Sequence, residues 1–231
     1  MKLVITEPLG ITEAQAEALK KEYLPADLEM VYCNTPPKDD AEKAARAKGA
    51  DLVMLANMPF KENVLQELKD VKLLSVAFTG VDHVGMDYCK AHEIIVSNCS
   101  GYANEAVSEL AIGLAIGLYR KMLAADEAVR AGKTRAGLLG IELSGKKFGV
   151  VGAGAIGRRT IALAQAVGCE VYYYNRKETK IDGAKYVPLA ELMEVSDIIS
   201  LHVPLTAETK GLIGAAEIAK MKKTAILINT A

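Results

Sequence analysis

The chain has 231 residues with 28 basic and 29 acidic side chains and a net charge of −1, a balance that argues against a nucleic-acid footprint. It is 51% hydrophobic, enough for one large or two modest cores. Cys33, Cys89, Cys99 and Cys169 are scattered with no C-x-x-C pair; this argues against a zinc or disulfide framework and reads as buried thiols in a reducing compartment.

Lys2–Thr6 reads as a buried strand, too short an apolar run for a signal peptide. Thr12 and Gln15 have the spacing of a capping box, opening a helix to about Tyr23. Leu28–Tyr32 is a second strand. Pro36 and Pro37 break the chain before a charged, alanine-rich helix over Asp39–Lys48. Strands follow at Asp51–Leu55, Lys72–Ala77 and Ile94–Val96, with a helix over Lys61–Leu68. Strands apolar on both faces that alternate with helices predict a parallel sheet covered on both sides. Residues 1–101 are therefore expected to form a flavodoxin-like α/β domain.

Residues 104–122 read as one helix, apolar nearly all round, which predicts burial between layers, domains or subunits. Gly113 and Gly117 share a face of it and predict a close packing surface. The apolar stretch Leu110–Tyr119 is too short to span a bilayer, so a cytoplasmic protein without membrane contact is expected. A second helix runs to about Ala131.

Phe148–Val151 is a short apolar strand. Gly152, Gly154 and Gly157 follow in the spacing G-x-G-x-x-G, then a helical run to Ala166 and a strand over Glu170–Tyr174. That strand–turn–helix setting is what a dinucleotide fingerprint requires. Gly152 permits the tight turn, Gly154 lets the backbone approach a pyrophosphate, and Gly157 lets helix and strand pack closely. The free N–H groups at the helix start then face the phosphates. No Gly-Lys-Ser/Thr follows, which argues against a Walker-type loop. Beyond lie Ala184–Val187, a helix over Leu189–Val195, a strand over Asp197–Leu201, a helix over Ala215–Met221 and a strand over Ala225–Asn229. Residues 102–231 are expected to form a doubly wound Rossmann dinucleotide-binding domain with a parallel sheet.

An acidic residue holding the ribose 2′-hydroxyl belongs about 20 positions beyond the first glycine. Asn175, Arg176 and Lys177 stand there instead. A carboxylate would repel a 2′-phosphate, whereas arginine grips phosphate with a two-pronged fork. NADP is therefore favoured over NAD. A solvated basic turn is the other reading of the same three residues.

Three stretches resemble the D-isomer-specific 2-hydroxyacid dehydrogenase family. They are Thr79-Gly80-Val81-Asp82 with Asn98–Glu109, the glycine turn, and Leu201–Ile213 with Met221–Ala231. The resemblance implies an oxidoreductase that moves a hydride between a nicotinamide cofactor and a small 2-keto or 2-hydroxy acid. It implies that backbone N–H groups of Gly80 and Val81 bind the substrate carboxylate, as successive amides in a turn do for anions. It places the pyrophosphate at Ala155 and Ile156, an adenine wall at Val203 and Pro204, Thr209 near the cofactor, and Thr230 and Ala231 toward the nicotinamide. It also implies a homodimer through helix 104–122.

His202 falls on the cofactor side of the resemblance and is read as positional, not as a general acid. His83 and His92 are too scattered for a metal site, and no metal is expected. The arginine, glutamate and histidine of the family's chemistry would all come after Ala231, so no residue is assigned a catalytic role. Ala225–Asn229 is expected as an open apolar edge strand. The stretch is expected to bind ligands but be inert, as an incomplete enzyme. The alternative is a dinucleotide-binding sensor or corepressor-like protein.

Overall fold

In the computed structural model, residues 1–231 are all described. The first of its two units, Met1–Tyr102, is organised around β1 (Lys2–Ile5), whose Leu3, Val4 and Ile5 are buried. The capping box forms: Thr12 Oγ1 accepts from the Gln15 amide at 3.2 Å, and Gln15 Oε1 accepts from the Thr12 amide at 2.8 Å. It opens α1 (Glu13–Tyr23), which leads to β2 (Glu29–Tyr32). Asp39 caps α2 (Asp40–Ala47) through the Glu42 amide at 2.8 Å. Then come β3 (Leu52–Leu55), α3 (Glu62–Leu65), β4 (Leu73–Val76), α4 (Met86–Ala91) and β5 (Ile95–Asn98). The five strands are parallel in the order β2-β1-β3-β4-β5, the flavodoxin-like arrangement. Val53, Leu55, Leu74 and Val76 pack with Phe60, Val64 and Leu65 in one core.

Two details depart from expectation. Burial on both faces holds for the inner strands only; the edge strands β2 and β5 leave Glu29, Val31 and Ile95 exposed, because each has a neighbour on one side. The short helix α4 carries no strong periodic signal and is absent from the sequence reading.

The second unit, Ala103–Ala231, opens with α5 (Asn104–Tyr119) and α6 (Met122–Arg130). The two helices expected here form, but the first ends at Tyr119 rather than at Met122, where the second begins. Ile141 N donates to the Tyr119 carbonyl at 2.9 Å, taking the acceptor that a further helical turn needs, and Lys121 adopts a left-handed φ of 52°. Next are β6 (Lys147–Val151), α7 (Ala155–Ala166), β7 (Glu170–Tyr174), β8 (Ala184–Tyr186), α8 (Leu189–Val195), β9 (Ile198–Leu201), α9 (Ala215–Lys220) and β10 (Ile226–Asn229). The parallel sheet runs β10-β9-β6-β7-β8, the doubly wound order, with β10 as an edge.

Helix α5 packs on α7 and β10. It buries Ser108, Ala111, Ile112, Ala115 and Tyr119, whose hydroxyl donates to the Asp197 carbonyl at 3.1 Å. Its other face exposes Leu110, Leu114 and Leu118. Gly113 and Gly117 do not serve a close approach within the chain, since a Cβ at either would meet nothing. The thiols also divide: Cys89 is buried, Cys33 and Cys169 are half-buried, and Cys99 is exposed, not buried as expected. No helix is long and apolar enough to cross a membrane.

Candidate functional site

The register of the second sheet aligns its strand ends. Val151 pairs with Tyr174 on one side and Leu201 on the other, and Leu201 pairs with Asn229. The residues that follow, Gly152, Asn175, His202 and Thr230, therefore line the carboxyl edge of one parallel sheet. The chain leaves β6 toward β7 on one side and later returns to β9 on the other. That is a topological switch point, where open α/β sheets bind ligands.

The glycine turn has no room for side chains at two of its three glycines. Gly152 has φ +95°, and a Cβ there would lie 2.5 Å from the His202 carbonyl oxygen. A Cβ on Gly157 would lie 1.9 Å from the Gly152 carbonyl oxygen. Gly154 differs, for nothing lies within 4 Å of where its Cβ would be. That open space sits at the start of α7, where no side chain caps the helix. The N–H groups of Ala155, Ile156 and Gly157 thus have no acceptor within the helix. With the helix dipole they make an anion site.

At the end of β7, Asn175 Oδ1 accepts from the Ala153 amide at 3.3 Å, and its Nδ2 donates to the Lys177 carbonyl at 3.1 Å. The asparagine thus ties the glycine turn to the strand beside it. Arg176 and Lys177 are exposed. Arg176 pairs with Glu208 at 2.7 Å, a partner 32 residues away that no local pattern announces. Val203 packs toward Gly152, and Pro204 is exposed. The Thr209 hydroxyl is used inside its own loop: it accepts from the Thr206 amide at 2.8 Å and donates to the Pro204 carbonyl.

His202 bonds to the buried Ser200 through Nε2 and Oγ at 2.9 Å. Burial pushes its imidazole down to about 4, so the ring is neutral near pH 7. At the end of β10, Ala231 N donates to Asn229 Oδ1 at 3.1 Å, while Thr230 Oγ1 is buried without a partner. A buried hydroxyl left unpaired in the chain is a natural point of contact for a polar ligand group.

In the first unit, Gly80 and Val81 lie on the loop after β4. Asn98 Nδ2 donates to the Thr79 carbonyl at 2.7 Å, and Lys61 Nζ donates to the Asp82 carbonyl at 2.5 Å. Phe60 and His83 join the same loop to the start of α3 through a 2.8 Å backbone bond. The Gly80 and Val81 amides have no acceptor within the chain, and Thr79 Oγ1 is buried and unpaired. Asn98 braces this loop, a role that its place in the motif does not announce.

A doubly wound parallel sheet, a glycine turn at its switch point and an uncapped helix start together define a dinucleotide-binding α/β protein. The open cradle at Gly154 and the orphaned Thr230 hydroxyl both fit a nicotinamide dinucleotide. Residues 112–231 match the family described as "D-isomer specific 2-hydroxyacid dehydrogenase, NAD binding domain". The chain belongs to the D-isomer-specific 2-hydroxyacid dehydrogenase family.

It is 36% identical to a glycerate dehydrogenase of Methylorubrum extorquens over 82% of this chain and 62% of that protein. Among solved structures it resembles an acyclic imino acid reductase in complex with NADPH and D-Arg, with 30% identity and a TM-score of 0.88 over 100% of this chain and 74% of that one. It also resembles the D-lactate dehydrogenase of Aquifex aeolicus complexed with NAD and lactic acid, with 30% identity and a TM-score of 0.85 over 100% and 69%. The chain spans 62% and 59% of the length of two of the curated relatives it matches.

Proposed function

We propose that these residues bind a nicotinamide dinucleotide and a small 2-keto or 2-hydroxy acid in an NAD(P)-dependent D-2-hydroxyacid dehydrogenase working as a 2-keto acid reductase. The observation that carries this is the uncapped start of α7 above the open cradle at Gly154. Gly152, Gly154 and Gly157 shape the turn; the Ala155 and Ile156 amides hold the pyrophosphate. Val203 and Pro204 wall the adenine, with Thr209 holding their loop in shape. Thr230 and Ala231 meet the carboxamide end. When bound, the nicotinamide supplies or accepts the hydride. Residues 1–101 contribute the amides of Gly80 and Val81, which take a carboxylate, and residues 102–231 the dinucleotide.

The chain has no tryptophan, so the fluorescence of the reduced cofactor reports binding directly. Saturable enhancement of both NADH and NADPH is expected, and no binding of either at millimolar concentration would overturn the proposal.

NADP is the favoured partner because an exposed arginine follows β7 at position 176 and no carboxylate stands at position 175. Arg176 is 79% exposed, so its contact is screened by water. Arg176→Ala is expected to weaken NADPH binding by about 1–1.4 kcal/mol, roughly five- to tenfold, and to leave NADH unchanged. Equal affinities for the two cofactors, unmoved by the substitution, would refute the preference.

The exposed face of α5 supports a homodimer through that helix. Leu110, Leu114 and Leu118 recur every four residues on one stripe, and Gly113 beside them leaves open space for an opposing helix. Leu114→Glu is expected to weaken the dimer by at least about tenfold, or 1.4 kcal/mol, as read by sedimentation. A folded wild-type chain that sediments as a monomer at micromolar concentration would rule the interface out.

A further inference from the structure

We propose that Glu208 tunes cofactor preference by competing with the 2′-phosphate for Arg176. This rests on the assignment of Arg176 to that phosphate. Arg176 follows β7 and Glu208 follows β9, and these strands flank β6 on either side. The 2.7 Å ion pair therefore links the two strand ends that bracket the glycine turn. Glu208 sits on a braced turn. Its turn is braced by the Thr206 amide donating to Thr209 Oγ1 at 2.8 Å, the Thr209 amide donating to Thr206 Oγ1 at 3.2 Å and the Lys210 amide donating to the Thr206 carbonyl at 2.9 Å.

The charges are matched so that the phosphate wins at a cost. Both side chains are exposed, 79% and 70%, so their pairing is weak. A phosphate offers arginine a bidentate acceptor of higher charge. NADPH displaces Glu208 from the guanidinium and leaves a carboxylate beside a phosphate, two like charges in close range. NADH brings no phosphate and leaves the pair intact. Glu208 thus penalises one cofactor only, and narrows the gap between them.

The test is the affinity of the full chain and its Glu208→Gln variant for NADPH, NADH, 2′,5′-ADP and 5′-AMP, repeated in the Arg176→Ala background. Glu208→Gln is expected to tighten NADPH and 2′,5′-ADP about three- to tenfold at low salt and to change NADH and 5′-AMP less than about twofold. The gain should shrink as salt screens the charges, and should be smaller without Arg176. If Arg176→Ala weakens NADPH but Glu208→Gln leaves it unchanged or weaker, Glu208 has no such role and the NADP assignment stands. If Arg176→Ala does not alter NADPH binding, the assignment of Arg176 fails and this inference with it. A gain undiminished in the Arg176→Ala background would overturn the competition.

Discussion

Gly157→Ala is expected to destabilise the second unit by on the order of 3 kcal/mol or more and to abolish measurable dinucleotide binding. The new Cβ would lie 1.9 Å from the Gly152 carbonyl oxygen and 3.0 Å from its carbon. Both sides of that clash are backbone, so no rotamer change relieves it. Either α7 lifts from β6 or the turn opens, and each displaces the amides proposed to hold the pyrophosphate. Gly154→Ala separates the two consequences. Its φ of −72° suits alanine, and its Cβ would meet no atom of the chain. Stability should stay within about 0.5 kcal/mol of wild type. The methyl group does enter the space proposed for the pyrophosphate, so NADH and NADPH should both weaken by about 1–3 kcal/mol. Urea unfolding and cofactor fluorescence on the two variants read this directly. A Gly157→Ala chain as stable as wild type, or a Gly154→Ala chain with unchanged affinity for both cofactors, would contradict the turn described here.

Folding stability is expected to fall by about 2 kcal/mol between neutral pH and pH 5 through His202 alone, and by about 3 kcal/mol on reaching pH 4 and below. Burial lowers the imidazole to about 4, whereas an unfolded histidine titrates near 6.5. The unfolded chain therefore binds the proton more readily, and acid favours unfolding. The stability is fully present above about pH 6.5 and is lost as the pH falls to about 4. Carboxylates add their own pH dependence at the acid end. A His202→Gln variant removes the imidazole while keeping a polar group near Ser200 Oγ. The quantity to measure is the stability difference between wild type and variant in urea at pH 7, 6 and 5. That difference should move against the wild type by about 2 kcal/mol on reaching pH 5. A difference constant with pH would mean that the folded ring titrates like a free one. Because the His202 carbonyl abuts Gly152, charging this residue should loosen the glycine turn as well, and cofactor affinity should fall over the same range.

The local parts of the fold were written in the sequence because short-range physics determines them. The Thr12 capping box needs only residues three apart. The strand–turn–helix around Gly152 needs an apolar run, fixed glycine spacing and a helix former. The alternation of strands with helices was enough for two parallel sheets. Where long-range contacts decided, sequence reading stopped short. Helix α5 ends at Tyr119 because the amide of Ile141 takes its last carbonyl, and nothing in residues 104–122 announces that loop. The apolar surround of α5 was plain, but which face is buried depends on where α7 and β10 lie. Arg176 was recognisable as a basic residue after a strand; Glu208 became its partner only when β6 came to lie between β7 and β9. His202 was visible as a histidine in a familiar setting, yet its neutrality comes from burial beside Ser200. Periodicity and capping act within a few residues, so the sequence by itself determined the elements and the glycine turn. Which strand ends adjoin, which charges meet and which groups lose water depend on sheet order and register, and only the tertiary structure decided those.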